Sequence, residues 1–324
     1  MWPWIGCDLI KENDFSCEIF TNVIKSNVLN ELTKSPAFVE HMSKRFGALC
    51  KHNIASGDVV DIQNLSRMMM FDILVLIATG NNVGPQRKEM LEEAEILTSL
   101  TDEFIYSGLK QSTIIRKLLF NDTKFSKSRA NFIKHIEGSL SMENNLIENS
   151  VFKVLKQQNS HIDAATFITI FIILGYDRFS VAFTSLILEL AIDSELQEEL
   201  CKEIRENKRY FMTCKNLEKF LIAKMVKIPV TPIAVKRIKN GIPLKGFFIP
   251  PNVDVLLFLQ NIDTYGQLIK EMNENMTMSL MKLFVGEFVV RCKFQFEKEK
   301  NEEKFGCGMS LRRKSARILV KNRY

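Results

Sequence analysis

The longest nearly unbroken apolar stretch runs from Asp163 to Ile192, and its length and composition predict a single long buried helix rather than strands. Gly175-Tyr176-Asp177-Arg178 interrupts it at the centre with polar side chains that no packing requirement asks for. A transmembrane span is the rival reading, because runs of about 20 apolar residues cross bilayers. Asp177 and Arg178 argue against it, since each charge near mid-membrane costs about 2.5–3.5 kcal/mol.

Upstream, residues 28–56 place Leu32, Phe38, Met42, Phe46 and Leu49 at helical spacing, with Ser35-Pro36 as the cap and first position of a helix. Asp61 caps a second helical run, Leu65 to Thr79, which Gly80 ends. Residues 86–106 and 125–158 read as amphipathic helices joined by polar stretches. Downstream, 197–208 and 217–227 are helical in pattern, and Pro229 closes the second of them. Four further prolines among Val, Ile and Phe then predict short strands and turns over 230–258. A last helix from Met278 to Phe296 precedes Gly306, Gly308 and a terminal strand pair. The fold class expected is mainly α with a small β-sheet, the sheet drawn from 230–258 and the C-terminus.

At 324 residues with 46% hydrophobic and 25% charged side chains, the composition is that of a globular protein, and one large domain over 1–324 accommodates it. The net charge of +6 is spread among acidic residues, so no nucleic-acid partner is implied. Arg312, Arg313, Lys314, Arg317, Lys321 and Arg323 gather near the C-terminus, alternating with Leu311, Ile318 and Val320. That pattern fits a solvated strand face; a docking patch for an acidic partner is the alternative.

Seven cysteines in irregular spacing, without a CxxC pair, make a disulfide framework or zinc site a poor reading and reduced intracellular thiols the default. Met1-Trp2-Pro3-Trp4 lacks a basic stretch followed by an apolar run, so no signal peptide or membrane anchor is expected there. His41, His52, His135 and His161 stand in separate segments without a second ligand at helical spacing. Neither a GxSxG element nor a phosphate-binding glycine loop occurs, and the fourteen methionines read as core filler.

Two blocks carry a resemblance to a known family. The first is Phe171-Ile172-Ile173-Leu174-Gly175-Tyr176-Asp177-Arg178-Phe179-Ser180, followed by Glu189-Leu190-Ala191 and the polar run Gln197 to Ile204. The second is Pro229-Val230-Thr231-Pro232, then Lys236-Arg237, then Ile242 to Val253. Together, and with a weaker likeness from Val59 to Gly80, they resemble a cytochrome P-450, a haem-thiolate monooxygenase. The resemblance runs from about residue 35 to the end and implies that the family's N-terminal part is missing. The family inserts one oxygen atom into an apolar small molecule, using haem and an electron-donor protein. By resemblance the chain faces a mitochondrial or endoplasmic-reticulum membrane, the donor being a ferredoxin or a microsomal protein. Gly175, Lys236 and Arg237 would be haem-facing, and Asp177 would be the distal-helix acid.

The departures from the family pattern set the functional expectation. Arg178 stands where the family carries the threonine that helps deliver protons to bound dioxygen. Counting back from Pro229 puts Ala223 and Val226 where the family pairs a glutamate with an arginine. The loop carrying the haem-ligating cysteine would fall at 264–277 and looks deleted. Aligning Phe305-Gly306-Cys307-Gly308 on that loop instead puts Arg312 at the ligand position and leaves too little chain for the last helix, so Cys307 is a poor alternative ligand. The resemblance thus implies a degenerate member with impaired catalysis and weak or absent haem binding. A non-catalytic helical binding protein that keeps the fold without iron is the alternative.

Overall fold

The computed structural model describes residues 27–54, 57–81, 87–110, 123–141, 150–157, 163–225, 233–238, 240–258, 276–297, 305–307, 311–313 and 316–323. Helix starts follow the local chemistry. Helix α1 spans Asn27–Lys34 and α2 spans Pro36–Asn53. The Ser35 side chain accepts from the Phe38 amide at 3.3 Å, and Pro36 fills a first-turn position whose missing N–H would have had no helical partner. After strand β1, Val59–Asp61, comes α3, Ile62–Thr79. Asp61 accepts from the Gln63 and Asn64 amides, and Gly80 closes the helix in the left-handed conformation at φ 83°.

Helices α4, Arg87–Lys110, α5, Thr123–Leu140, and α6, Val151–Gln157, lead to the long helix α7, Ala164–Ile192. Asp163 caps α7 by accepting from the Ala165 and Thr166 amides. Nineteen residues of α7 are buried, among them Asp177, Tyr176 and Ser180. The expectation of one helix from Asp163 to Ile192 is met. By length and composition α3 and α7 could each cross a membrane, yet both bury most of their surface inside the protein.

The core forms where α3 lies along α7. Ser66 donates to the Ser180 carbonyl at 3.1 Å and sits 3.0 Å from the Thr184 hydroxyl. Phe71 packs edge-on to Tyr176, with centroids 5.7 Å apart. Helix α8, Ser194–Glu206, a 3-10 turn at Phe211–Thr213, and α9, Lys215–Met225, follow. Helix α10, Met276–Arg291, is buried along nearly its whole length against α2, α7, α8 and α9. Phe46, Phe284, Phe288, Phe183 and Phe294 form a second aromatic cluster under it.

The last helix ends earlier than its sequence suggests. Residues 292–296 form strand β6, Cys292–Phe296, because Cys292, Phe294 and Phe296 alternate with Lys293 and Gln295 at the strand period of two. A three-stranded antiparallel sheet is ordered β1, then β9 (Arg317–Asn322), then β6. The C-terminal strand β9 therefore joins Val59–Asp61 and not the 230–258 segment, which corrects the expected sheet. Buried Gln197 fastens this sheet to the helices: its amide donates to the Leu190 and Phe294 carbonyls and accepts from the Phe294 N–H. Residues 230–258 supply two separate pairs instead. Strands β2, Ile233–Ile238, and β5, Val253–Phe258, form one; β3, Ile242–Leu244, and β4, Phe247–Ile249, form the other. Strands β7, Phe305–Cys307, and β8, Leu311–Arg313, make a last pair.

Along β9 the basic residues follow the solvated-face expectation: Arg317 and Lys321 are exposed, while Ile318 and Val320 are buried. Arg323 just beyond pairs with Glu198 at 2.7 Å. Arg312 and Arg313 lie on β8, and Lys314 falls outside the described residues.

Candidate functional site around Gly175

The middle of α7 brings together residues that the sequence singled out and others it did not. Opposite Gly175 stands Leu74 of α3: a Cβ on residue 175 would lie 2.8 Å from Leu74 Cδ1. The glycine therefore serves a close helix–helix approach. One residue on, the Tyr176 hydroxyl lies 3.1 Å from the Thr98 hydroxyl of α4 and beside the Arg67 guanidinium of α3. Burial, the largest cause, raises the Tyr176 pKa against the opposing pull of Arg67. Arg67 also pairs with Glu95 at 3.3 Å, so the layer reaches from the core to a half-exposed carboxylate.

Asp177 is 1% exposed, and its carbonyl accepts from Ser180 Oγ at 2.7 Å. Arg178 lies mostly inside the protein; burial lowers its pKa, and the neighbouring Asp177 charge opposes that shift. A guanidinium cannot act as a base at accessible pH and presents five donors and no acceptor. Gly175, Asp177 and Arg178 thus share one helix with a buried polar layer built from α3 and α4.

The remaining expected site residues lie on other elements. Lys236 and Arg237 sit on β2, in register with Val255 and Asp254 of β5. Cys307 is the last residue of β7, paired with Leu311. Ala223 is exposed on α9, while Val226 and the 264–275 part of the expected loop segment lie outside the described residues; positions 276 and 277 already belong to α10.

A haem-thiolate centre needs a deprotonated cysteine. The free thiols Cys50, Cys201, Cys214 and Cys292 are all buried. Desolvation pushes Cys50 far above the ordinary thiol range, and Cys214 and Cys292 up to about 11. Two of these sulfurs are committed elsewhere: Cys214 donates to the Tyr210 carbonyl and Cys292 to Asn322 Oδ1. Burial keeps the Cys50, Cys214 and Cys292 thiols protonated, and Leu74 packs against Gly175. A neighbouring depression lined by Met42, Arg45, Phe46, Met69, Asp72, Ile73 and Phe284 has no room for a water-sized sphere. Among the described residues no group of three or more His, Cys, Asp or Glu could hold a metal ion.

Sequence reasoning missed Arg67, Glu95, Thr98 and Leu74. Arg67 and Asp72 are the only charges within α3, and a charge on so apolar a helix was a readable signal of a buried pairing. Asp72 pairs with Arg45 at 3.3 Å. Leu74, one aliphatic residue among many, gave no such signal. No protein-family model matches the chain, and no curated protein matches it.

Proposed function

We propose that the chain is a degenerate member of the cytochrome P-450 family that keeps a helical scaffold and has given up oxygen activation, acting as a non-catalytic binding protein. The order Gly175, Asp177, Arg178 on a single long buried helix supports the family assignment. The observation that carries the loss of catalysis is Leu74 seated against Gly175, the glycine that the resemblance turns toward the cofactor. Arg178 supports it too, because a mostly buried cation replaces the neutral hydroxyl of the family's proton relay. Burial, which holds the Cys214 and Cys292 thiols protonated, supports it as well.

The test is titration of the purified chain with hemin, followed by reduction and exposure to carbon monoxide. Weak, non-stoichiometric uptake without a thiolate-type band is expected. Stoichiometric uptake with that band would overturn the reading and return the chain to the active haem-thiolate monooxygenases.

A further inference from the structure

Asn240 is the only asparagine in the sequence that glycine follows. Asn-Gly between apolar runs is a strong signal for a two-residue hairpin turn, yet the tight turn forms elsewhere. Lys245 and Gly246, with φ of 44° and 85°, join β3 to β4, and Leu244 pairs with Phe247 across them. Asn240 and Gly241 lie instead in the bend that leads from β2 into β3. Asn240 is exposed. Among the described residues no hydrogen bond holds its side chain or the Gly241 N–H.

Packing requires glycine at 241. A Cβ there would stand 2.2 Å from Phe248 Cζ, so the ring lies where any side chain would go. The same missing Cβ leaves the Gly241 nitrogen open to the amide carbon of Asn240, which reaches it through a five-membered ring. Asn252 supplies the contrast. It is also exposed, and its N–H donates to the Ile238 carbonyl at 2.6 Å, two residues before Asn240. Its successor, Val253, is branched at Cβ and crowds its own amide nitrogen.

We propose that Asn240-Gly241 is a self-modifying site, where the neutral amide converts to an aspartyl or isoaspartyl linkage that alters the base of the β3–β4 hairpin. The Gly241 nitrogen bonds to Asn240 Cγ, the Cγ–Nδ2 bond breaks, and ammonia leaves with the amide proton. Water then opens the cyclic imide at either carbonyl. Opening at the side-chain carbonyl gives aspartate; opening at the main-chain carbonyl routes the chain through the side chain and lengthens it by one methylene. The longer path moves Gly241 from beneath Phe248, and both products carry a new negative charge. The inference does not depend on the family reading above.

The experiment holds the folded full chain in mildly alkaline buffer, then digests it in acid, which halts imide formation, and maps the peptides by mass spectrometry. The expected result is the mass gain of an acid over an amide at Asn240, with isoaspartate there shown by enzymatic methyl transfer, and no gain at Asn252. Asn240→Gln, whose amide would need a larger ring, should keep its mass. In the isoaspartyl fraction, amide exchange at the paired Ile242 and Ile249 should accelerate. Asn240→Asp carries the charge without the longer chain and should exchange like the unmodified protein. An amide retained at Asn240, or conversion of Asn252 or of Asn240→Gln at the same rate, would overturn the proposal. So would unchanged exchange in the isoaspartyl fraction, or the same acceleration in Asn240→Asp.

Discussion

Leu74 Cδ1 occupies the place that a side chain on residue 175 would need, 2.8 Å from the Cβ position. This contact sets the distance between α3 and α7, and the sign of a mutation at Gly175 depends on it. Gly175→Ala should gain up to about 1 kcal/mol of helix propensity and lose about 1–3 kcal/mol to overpacking. Net destabilisation is expected. Leu74→Ala alone should cost about 2–5 kcal/mol through its cavity. In the Leu74→Ala background the same Gly175→Ala change should become stabilising, because the new methyl enters the vacated space. Urea denaturation of the four variants checks the reversal; one sign in both backgrounds would contradict the contact.

A second prediction concerns Glu287, 1% exposed on α10. Ser43 donates to one of its oxygens, and Arg291 Nε donates to the other at 2.6 Å. Arg291 Nη2 also donates to the Ser43 carbonyl at 3.2 Å, tying α10 to α2. Arg291→Met should cost about 3–5 kcal/mol, because it leaves a buried carboxylate without its cation. Glu287→Gln should cost less, because Arg291 is 27% exposed and water can take over part of its solvation. Equal losses in thermal or urea unfolding would count against this account.

Gln197 invites a third test. Gln197→Leu keeps the volume but takes the Gln197 partner from the Phe294 N–H and carbonyl at the sheet–helix junction, while the Leu190 carbonyl keeps the Asp193 N–H. A loss of about 2–4 kcal/mol is expected from a few buried unsatisfied groups. Amide hydrogen exchange at Phe294 should accelerate in the variant; unchanged protection would show that the clip is dispensable.

Alkaline pH should unfold the protein through its thiols. Cys214 and Cys292 are raised from 9.0 to about 11 by burial. Between these values the unfolded chain has lost thiol protons that the folded chain still holds, so stability is present below pH 9 and falls as pH rises toward 11. Cys214→Ala with Cys292→Ala should flatten this slope. Urea midpoints measured across that window give the answer, and a slope unchanged by the double substitution would rule out Cys214 and Cys292 as its source.

Much of the helical framework was legible in the sequence, since Ser35, Asp61, Asp163 and Gly80 each do locally what their type favours at a helix end. The β6 boundary was not read, because Cys292 to Phe296 continues an apolar run and only its period changes. Strand β1 escaped notice for another reason: Val59–Asp61 is three residues long and is held by β9, far away in sequence. The site was half legible. Asp177 and Arg178 stood out as charges in an apolar helix, but Leu74, Thr98 and Glu95 enter through tertiary contacts that no local pattern announces.

The central claim is that this core closes on its own side chains, with Leu74 packed against Gly175. The most direct measurement is the urea unfolding midpoint of the full chain across a hemin titration under reducing conditions. A ligand that binds only the folded state stabilises it by about 2.7 kcal/mol at a hundredfold excess over its Kd. The account predicts a cooperative transition without hemin and a midpoint that stays fixed as hemin is added. A midpoint that climbs with hemin concentration and goes on climbing beyond one equivalent would contradict it.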